Sequence, residues 1–249
     1  MMNTFNIFTL FPEMFTALDY GVIGIAKSKG IICINTINIR DFSKNKHKKV
    51  DDYPYGGGFG MLMTCQPVFD AIKSLPKAHT IYMSPKGKVL TQKRAMELSN
   101  LQDINILCGH YEGIDQRIID SLIDEEISCG DYVVTGGEIP AMLLVDSISR
   151  LIKGVLPQPE SYTDESHQDN LLESYQYTRP EEYDGLSVPN ILLSGHHKNI
   201  SEFRLAQSIY LTYQKRPDLL EHRKINKTEY KIFTIYYPQL KDDIIKFVE

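Results

Sequence analysis

The sequence predicts an α/β domain with a mainly parallel sheet, followed by a smaller helical domain. Short β-branched and apolar runs alternate with stretches of helical spacing as far as Leu151. Several of these runs end on glycine within a residue or two, so the connections from strand to helix are tight. After Lys153 the periodicity stops in a proline- and acid-rich stretch, and helical patterns then resume almost without strands. Alternation of this kind favours a parallel sheet with helices on its faces, and ligands of such sheets sit at the carboxyl ends of the strands.

The elements follow in order. Phe5-Asn6-Ile7-Phe8-Thr9-Leu10-Phe11 alternates apolar and polar residues before Pro12 and reads as a strand, and Pro12 to Ala26 has helical spacing. Ile31 to Ile39 is a second strand, Tyr53 to Gly60 a loop, and Val68 to Leu75 a helix. Thr80-Ile81-Tyr82-Met83-Ser84 and Ile104 to Cys108 are strands separated by a helix over Thr91 to Asn100. Gln116 to Asp124 is helical, Asp131 to Thr135 a strand, and Ile139 to Leu151 an apolar helix behind Gly136-Gly137. Gly154 to Asn170 is a linker, and Glu202 to Arg216 and Ile225 to Val248 are helical.

Composition narrows the class. An apolar share of 42% and a charged share of 24% are those of an ordinary globular chain. No apolar run approaches the roughly 18 residues of a membrane span, and Met1 to Pro12 lacks the features of a secretory signal. The cytoplasm is therefore the expected compartment. Cys33, Cys65, Cys108 and Cys129 are scattered, which fits reduced thiols better than a disulfide framework or a zinc site. The net charge of −5 conceals a basic patch, Arg40, Lys44, Lys46, Lys48 and Lys49 with His47, against the single acid Asp41. From charge alone, phosphate binding and a solvated face both remain open for it.

Three glycine-rich segments carry the candidate chemistry. Gly56, Gly57, Gly58 and Gly60, flanked by aromatics and by Asp51-Asp52, let backbone approach a ligand, but no Walker A or GxGxxG pattern is present. Leu107 to Arg117 runs from a strand through Gly109, Tyr111, Glu112 and Gly113 into a helix, and is either a ligand loop or a βα turn capped by Asp115. In Glu126 to Glu138, Gly130 and Gly136-Gly137 bracket a few residues whose main chain could face a ligand, with a structural turn as the alternative. By local pattern Asp169 is an ordinary linker carboxylate. His196-His197 lacks metal-ligand spacing, so no metal site is expected.

In order and spacing, DDYPYGGGFGM, LCGHYEGIDQR, EISCGDYVVTGGE, YTRP and LLSGHH resemble the bacterial tRNA (guanine-N1) methyltransferases that act on guanine 37, 3′ of the anticodon. The resemblance implies a SPOUT-type, deep trefoil-knotted domain over 1–159, a linker over 160–170 and a helical tRNA-binding domain over 171–249. It implies a homodimer with active sites at the subunit interface, binding the tRNA anticodon stem-loop and using S-adenosylmethionine, with a role for Mg²⁺ left open.

By the same resemblance the donor is held by Tyr82, Met83, Ser84 and Pro85, by Gly109, Tyr111, Glu112 and Gly113, and by Ser128, Cys129, Gly130, Asp131, Tyr132, Val133 and Val134 with Gly136, Gly137 and Pro140. Asp169 falls on the family's general base and Arg150 on its arginine partner. Such chemistry needs no covalent step, because the sulfonium methyl is already activated. What it needs is a base for the N1 proton, a cation for charge developing on O6, and alignment. Cys129, His167 and Asn170 depart from the family pattern of an aliphatic residue, a phenylalanine and a glycine. Another RNA site for a knotted methyltransferase, or a catalytically silent RNA-binding module, are the competing readings.

Overall fold

In the computed structural model, which describes residues 2–157 and 165–249, the chain divides into two units, Met1–Pro159 and Glu160–Glu249. The first contains β1 (Asn3–Thr9), α1 (Gly21–Ser28), β2 (Ile32–Asn38), the short strands β3 (Asp51–Asp52) and β4 (Leu62–Met63), and α2 (Cys65–Lys73). It continues through β5 (His79–Val89), α3 (Gln92–Ser99), β6 (Asp103–Cys108), α4 (Gln116–Leu122), β7 (Glu125–Ser128) and α5 (Glu138–Ser149). Five strands form one sheet in the order β2-β1-β6-β5-β7, every pairing parallel.

Apolar side chains leave both faces, as a parallel sheet covered by helices requires. Phe5, Ile7, Ile81, Met83, Ile104 and Ile106 pack with Ile23, Leu98, Leu144 and Ile148 on one side. Phe8, Tyr82 and Leu107 pack with Val68, Ala71, Ile72 and Ile118 on the other. The polar member of the first strand is not solvated, as its alternation would imply. Asn6, 8% exposed, donates to Asn105 Oδ1 at 3.1 Å and accepts from Asn35 Nδ2 at 3.0 Å. Because these residues are register partners, a slip of β1 would leave buried amides unpaired.

Three local expectations change. Pro12 to Ala26 is not one helix: a 3-10 segment, Pro12–Asp19, ends before Gly21, whose φ of 62° restarts the chain as α1. The third strand does not stop at Ser84. β5 continues to Val89 after a register irregularity between Met83 and Lys88, so Ile127 of β7 pairs with both.

The third concerns Asp131–Thr135, which is not a strand. The edge strand is β7, and the chain turns away from it at Gly130 (φ 151°), with Tyr132 N–H bonded back to the Gly130 carbonyl at 2.9 Å. The valines there satisfy β propensity locally but have no neighbouring strand to pair with.

The second unit contains the small hairpin β8 (Glu182–Tyr183) and β9 (Leu186–Ser187), then α6 (Asn190–Leu193), α7 (His197–Lys215), α8 (Pro217–His222), α9 (Lys227–Tyr236) and α10 (Lys241–Ile244). Its core is Ile209, Leu220, Ile225, Phe233, Ile244 and Phe247. The stretch from Ile225 to Val248, expected to be helical, is so in several pieces, with a break at Pro238, which lacks the N–H a continuing helix needs. Of the expected linker, 158–164 lie outside the described residues. Its end, 165–170, forms a turn closed by His167 N–H to the Leu171 carbonyl at 2.9 Å.

Candidate active site

The carboxyl ends of β5, β6 and β7 and the start of α5 enclose a cavity of about 450 Å³, within the usual range for a small-molecule site. β5 supplies Tyr82, Met83, Ser84, Pro85 and Lys86, at its register irregularity; the β6–α4 connection supplies Gly109 through Ile114. The remaining wall is Glu126 through Cys129, Tyr132 through Gly137, and Pro140. Leu62, Gln116 and Ile119 complete it.

Two glycines are sterically required here. A Cβ on Gly109 would lie 2.7 Å from the Tyr82 ring, and one on Gly137 would lie 2.7 Å from Cys108 Cα. Gly137 N–H also donates to the Gly109 carbonyl at 2.8 Å, tying the first turn of α5 to the end of β6. The sequence therefore keeps Cβ atoms out of the crossing that forms the cavity floor.

The polar groups below the cavity are arranged in two sets. Glu138 is 2% exposed and accepts from Thr9 Oγ1 at 2.9 Å. His110 Nδ1 lies 4.0 Å from its other oxygen, too far for a hydrogen bond, and is a buried nitrogen with no partner. Glu126, the register partner of Tyr82, lines the cavity, and its Oε2 is buried in the protein without a partner. Burial, and secondarily the charge of Glu126, push the Tyr82 phenol up to about 12. Glu112 is the second carboxylate of the wall, packed against Gly60 of the β3–β4 loop.

A family model described as tRNA (Guanine-1)-methyltransferase TrmD matches residues 2–222. A protein of Ruminiclostridium cellulolyticum is 58% identical over 221 residues, covering 86% of this chain and 95% of its own. One from Clostridioides difficile is 54% identical over 90% of this chain and 99% of its own, and one from Alkaliphilus metalliredigens is 54% identical over 90% and 94%. Each is named tRNA (guanine-N(1)-)-methyltransferase. The chain belongs to this family.

Of the residues that family membership directs to the donor, all but Gly130 and Asp131 line the cavity. Those two form the turn above it, where Ser128 Oγ donates to the Gly130 carbonyl at 2.8 Å. Cys129 lines the cavity through a half-buried position, and its carbonyl accepts from Tyr132 Oη at 3.3 Å, so its backbone is engaged whatever its side chain. Lys86, His110 and Glu126 were not singled out by sequence. His110 and Glu126 lie within the quoted motifs and Lys86 follows Pro85, and only the fold brings the three to one cavity.

Arg150 caps the carboxyl end of α5, its N–H bonded to the Asp146 carbonyl at 3.2 Å, and does not line the cavity. Asp169 belongs to the second unit, in the turn before Leu171-Leu172. Its neighbours His167 and Asn170 have φ of 72° and 51°. Asparagine tolerates that left-handed backbone better than most residues, which is a physical reason for it to stand at position 170.

The basic patch is partly neutralised: Lys44 pairs with Asp70 at 3.2 Å, Lys48 with Asp41 at 2.7 Å and Lys49 with Asp52 at 3.5 Å. These are exposed pairs of small net worth, readily exchanged for phosphate. The β3–β4 loop holds Tyr55 and Phe59 fully in solvent, at 100% and 99% exposure. Among the described residues no cluster is placed to hold a metal ion, and no helix is long and apolar enough to cross a membrane.

Proposed function

We propose that the protein transfers the methyl group of S-adenosylmethionine to N1 of guanine 37 of tRNA, as a cytoplasmic homodimer with active sites at the subunit interface. The cavity carries this reading, because it gathers segments far apart in sequence whose family counterparts bind the donor. The residues fit such a group. Its sulfonium and ammonium are positive, and the cavity wall carries the Glu112 and Glu126 carboxylates. The close approach of Gly137 to the Cys108–Gly109 backbone is also what a trefoil knot through these loops demands.

When bound, the donor supplies a methyl group already activated by its sulfonium. The chain's own work is to bind, to align and to move one proton. Asp169 takes the proton from N1, making that nitrogen nucleophilic, and Arg150 stabilises the charge that grows on O6. Arg40, whose guanidinium reaches the Tyr111 hydroxyl at 3.5 Å, and Lys44 to Lys49 extend a basic surface toward the tRNA backbone. Their contribution falls steeply with salt.

Support for the second subunit comes from the cavity rim. Val133 is 81% exposed, and Ile139 and Leu143, one helical turn apart on α5, are 55% and 43% exposed. An apolar strip beside a ligand cavity is what a partner subunit would cover.

The test is incubation with labelled S-adenosylmethionine and unmodified tRNA, followed by nucleoside analysis and mapping. N1-methylguanosine at position 37 is expected. Asp169→Asn should bind donor normally and lose transfer by about 10²–10⁴-fold. A methylated ribose or another RNA site would replace this reading by that of a different knotted methyltransferase. Tight tRNA binding without any transfer would leave a silent binding module.

A further inference from the structure

No residue from Tyr53 to Met61 lines the cavity, yet this loop between β3 and β4 rises directly from its wall. Asp52 pairs with Leu62 at the foot of the loop, and Leu62 is itself a lining residue. Main-chain bonds then fix the returning strand to the β6–α4 connection. Glu112 N–H donates to the Met61 carbonyl, Met63 N–H to the Gly113 carbonyl and Asp115 N–H to the Met63 carbonyl, each at 3.0 Å. Gly60 brings the loop back against the Glu112 side chain.

The loop contributes no ring to the core. Tyr53, Tyr55 and Phe59 are exposed, the last two completely. Between the latter pair, Gly56, Gly57 and Gly58 have φ of 85°, 82° and 127°, and a Cβ on either of the first two would meet nothing within 4 Å. Crowding therefore does not demand these glycines. Handedness does, because other residues rarely take that backbone. The turn they make leaves one aromatic ring before it and one after it, both in water. Rings held out of the core forgo the burial that would stabilise the fold, and their grouping on one short loop marks an interaction surface.

Charge selects the occupant. The segment leading into β3 carries Arg40, Lys44, Lys46, Lys48 and Lys49, and Lys49 pairs with Asp52 at the foot of the loop. Arg40 Nη2 donates to Tyr111 Oη at 3.5 Å, so the same cationic segment reaches the cavity wall. Exposed cations beside exposed rings match a polyanion with flat faces, and single-stranded RNA offers both. An apolar protein surface would leave the cations unused, and an RNA duplex would satisfy them while hiding its base faces. We propose that Tyr55 and Phe59 stack on unpaired nucleobases of the tRNA anticodon loop beside the guanine to be methylated, while the lysines hold its phosphates. This rests on reading guanine 37 of tRNA as the target. Stacking is indifferent to base identity, since every base has a π-face, so the same two rings serve tRNAs that differ in anticodon.

The chain has no tryptophan, so Phe59→Trp places a single indole at the proposed contact. Its emission should be quenched by unmodified tRNA and left unchanged by a fully paired RNA duplex. Tyr55→Leu and Phe59→Leu keep apolar bulk and lose the ring. Each should weaken tRNA binding at least about fivefold, with the salt dependence unchanged and S-adenosylmethionine affinity, read by calorimetry, at the parent value. Tyr55→Phe, which keeps the ring, should recover most of what Tyr55→Leu loses. Unquenched emission in the tRNA complex, equal quenching by the duplex, or leucine variants that bind tRNA as the parent does would each overturn the stacking. Methylation of guanine 37 by those same proteins would leave the proposed reaction standing. Equal loss of donor and tRNA affinity would also overturn the stacking, by showing that the rings only shape the loop. Indole shielded from acrylamide without RNA, increasingly so at higher protein concentration, would overturn it in favour of a second copy of the chain. Quenching by tRNA with the methyl group found elsewhere than guanine 37 would uphold the stacking and overturn the reaction instead.

Discussion

Replacing Gly137 by alanine isolates the crossing of β6 and α5 as the feature that shapes the cavity. Gly137 has an ordinary helical backbone, φ −78° and ψ −6°, so alanine adds no torsional strain there. Its effect is steric alone. The new Cβ would stand 2.7 Å from Cys108 Cα and 2.8 Å from Gly109 N, against an ordinary contact of at least 3.4 Å. Both neighbours are backbone atoms at the end of a central strand, so neither can rotate away. Restoring contact means separating the first turn of α5 from β6 by about 0.7 Å on these distances and weakening the Gly137 to Gly109 hydrogen bond. Overpacking of this kind costs about 1–3 kcal/mol, which lowers Tm by roughly 2–12 °C in a domain of this size. Because Gly109 and Gly137 both line the cavity, donor affinity should fall at least about 10-fold with it. Thermal melting and calorimetric titration with S-adenosylmethionine read the two effects separately. If Gly137→Ala kept both Tm and donor affinity at parent values, the close approach could not be what forms the site.

Two further outcomes follow from the geometry. Tyr82, whose phenol is pushed up to about 12 by burial and then by Glu126, has a folded pKa above the ordinary value near 10. The folded state keeps a proton that the unfolded state loses, so this group's contribution is whole below about pH 10 and is lost as pH rises toward 12. Urea unfolding should therefore show Tyr82→Phe losing about 1 kcal/mol less than the parent between pH 9 and 11, and equal losses would refute the buried phenol. For the shared site, mixing Asp169→Asn with a Tyr111→Ala/Glu112→Gln double variant should regenerate part of the activity that neither has alone. Failure to regenerate any, with exchange of subunits verified, would confine each site to one chain.

Much of the first unit was legible because burial on both sides of a parallel strand leaves continuous apolar runs, and because glycines end them. Ile104 to Cys108 read as a strand from local pattern, which left the loop after it open between a ligand loop and a capped turn; it is both, since Asp115 accepts from Arg117 N–H at 2.9 Å and Gly109 to Ile114 line the cavity. The same reasoning failed at Asp131–Thr135, since Tyr-Val-Val has strand propensity but the sheet ends at β7 and Gly130 turns the chain away. The buried pairing of Asn6 with Asn35 and Asn105 had no local signal, because it spans 29 and 99 residues, a separation that no window can see. Glu126 was invisible for a related reason. A charged residue before an apolar strand is usually solvated, and only the β5–β7 pairing turns it under Tyr82. Asp169 took its candidacy from the family alone.

The position of Arg150 bears on the proposal that the active sites lie at a subunit interface. Pro140 lies in the cavity wall near the start of α5, whereas Arg150 closes that helix at its other end. Ten residues of α-helix separate them, about 15 Å along the axis. That is more than an arginine side chain spans, so Arg150 does not join the wall to which the start of its own helix contributes. The same helix exposes Ile139 and Leu143 between those two ends, an apolar surface with no use in an isolated chain. If two copies meet along that strip with α5 helices antiparallel, the carboxyl end of one helix is carried toward the cavity served by the amino end of the other. In the proposed dimer, the surface that joins the subunits would also bring each Arg150 toward the other chain's cavity.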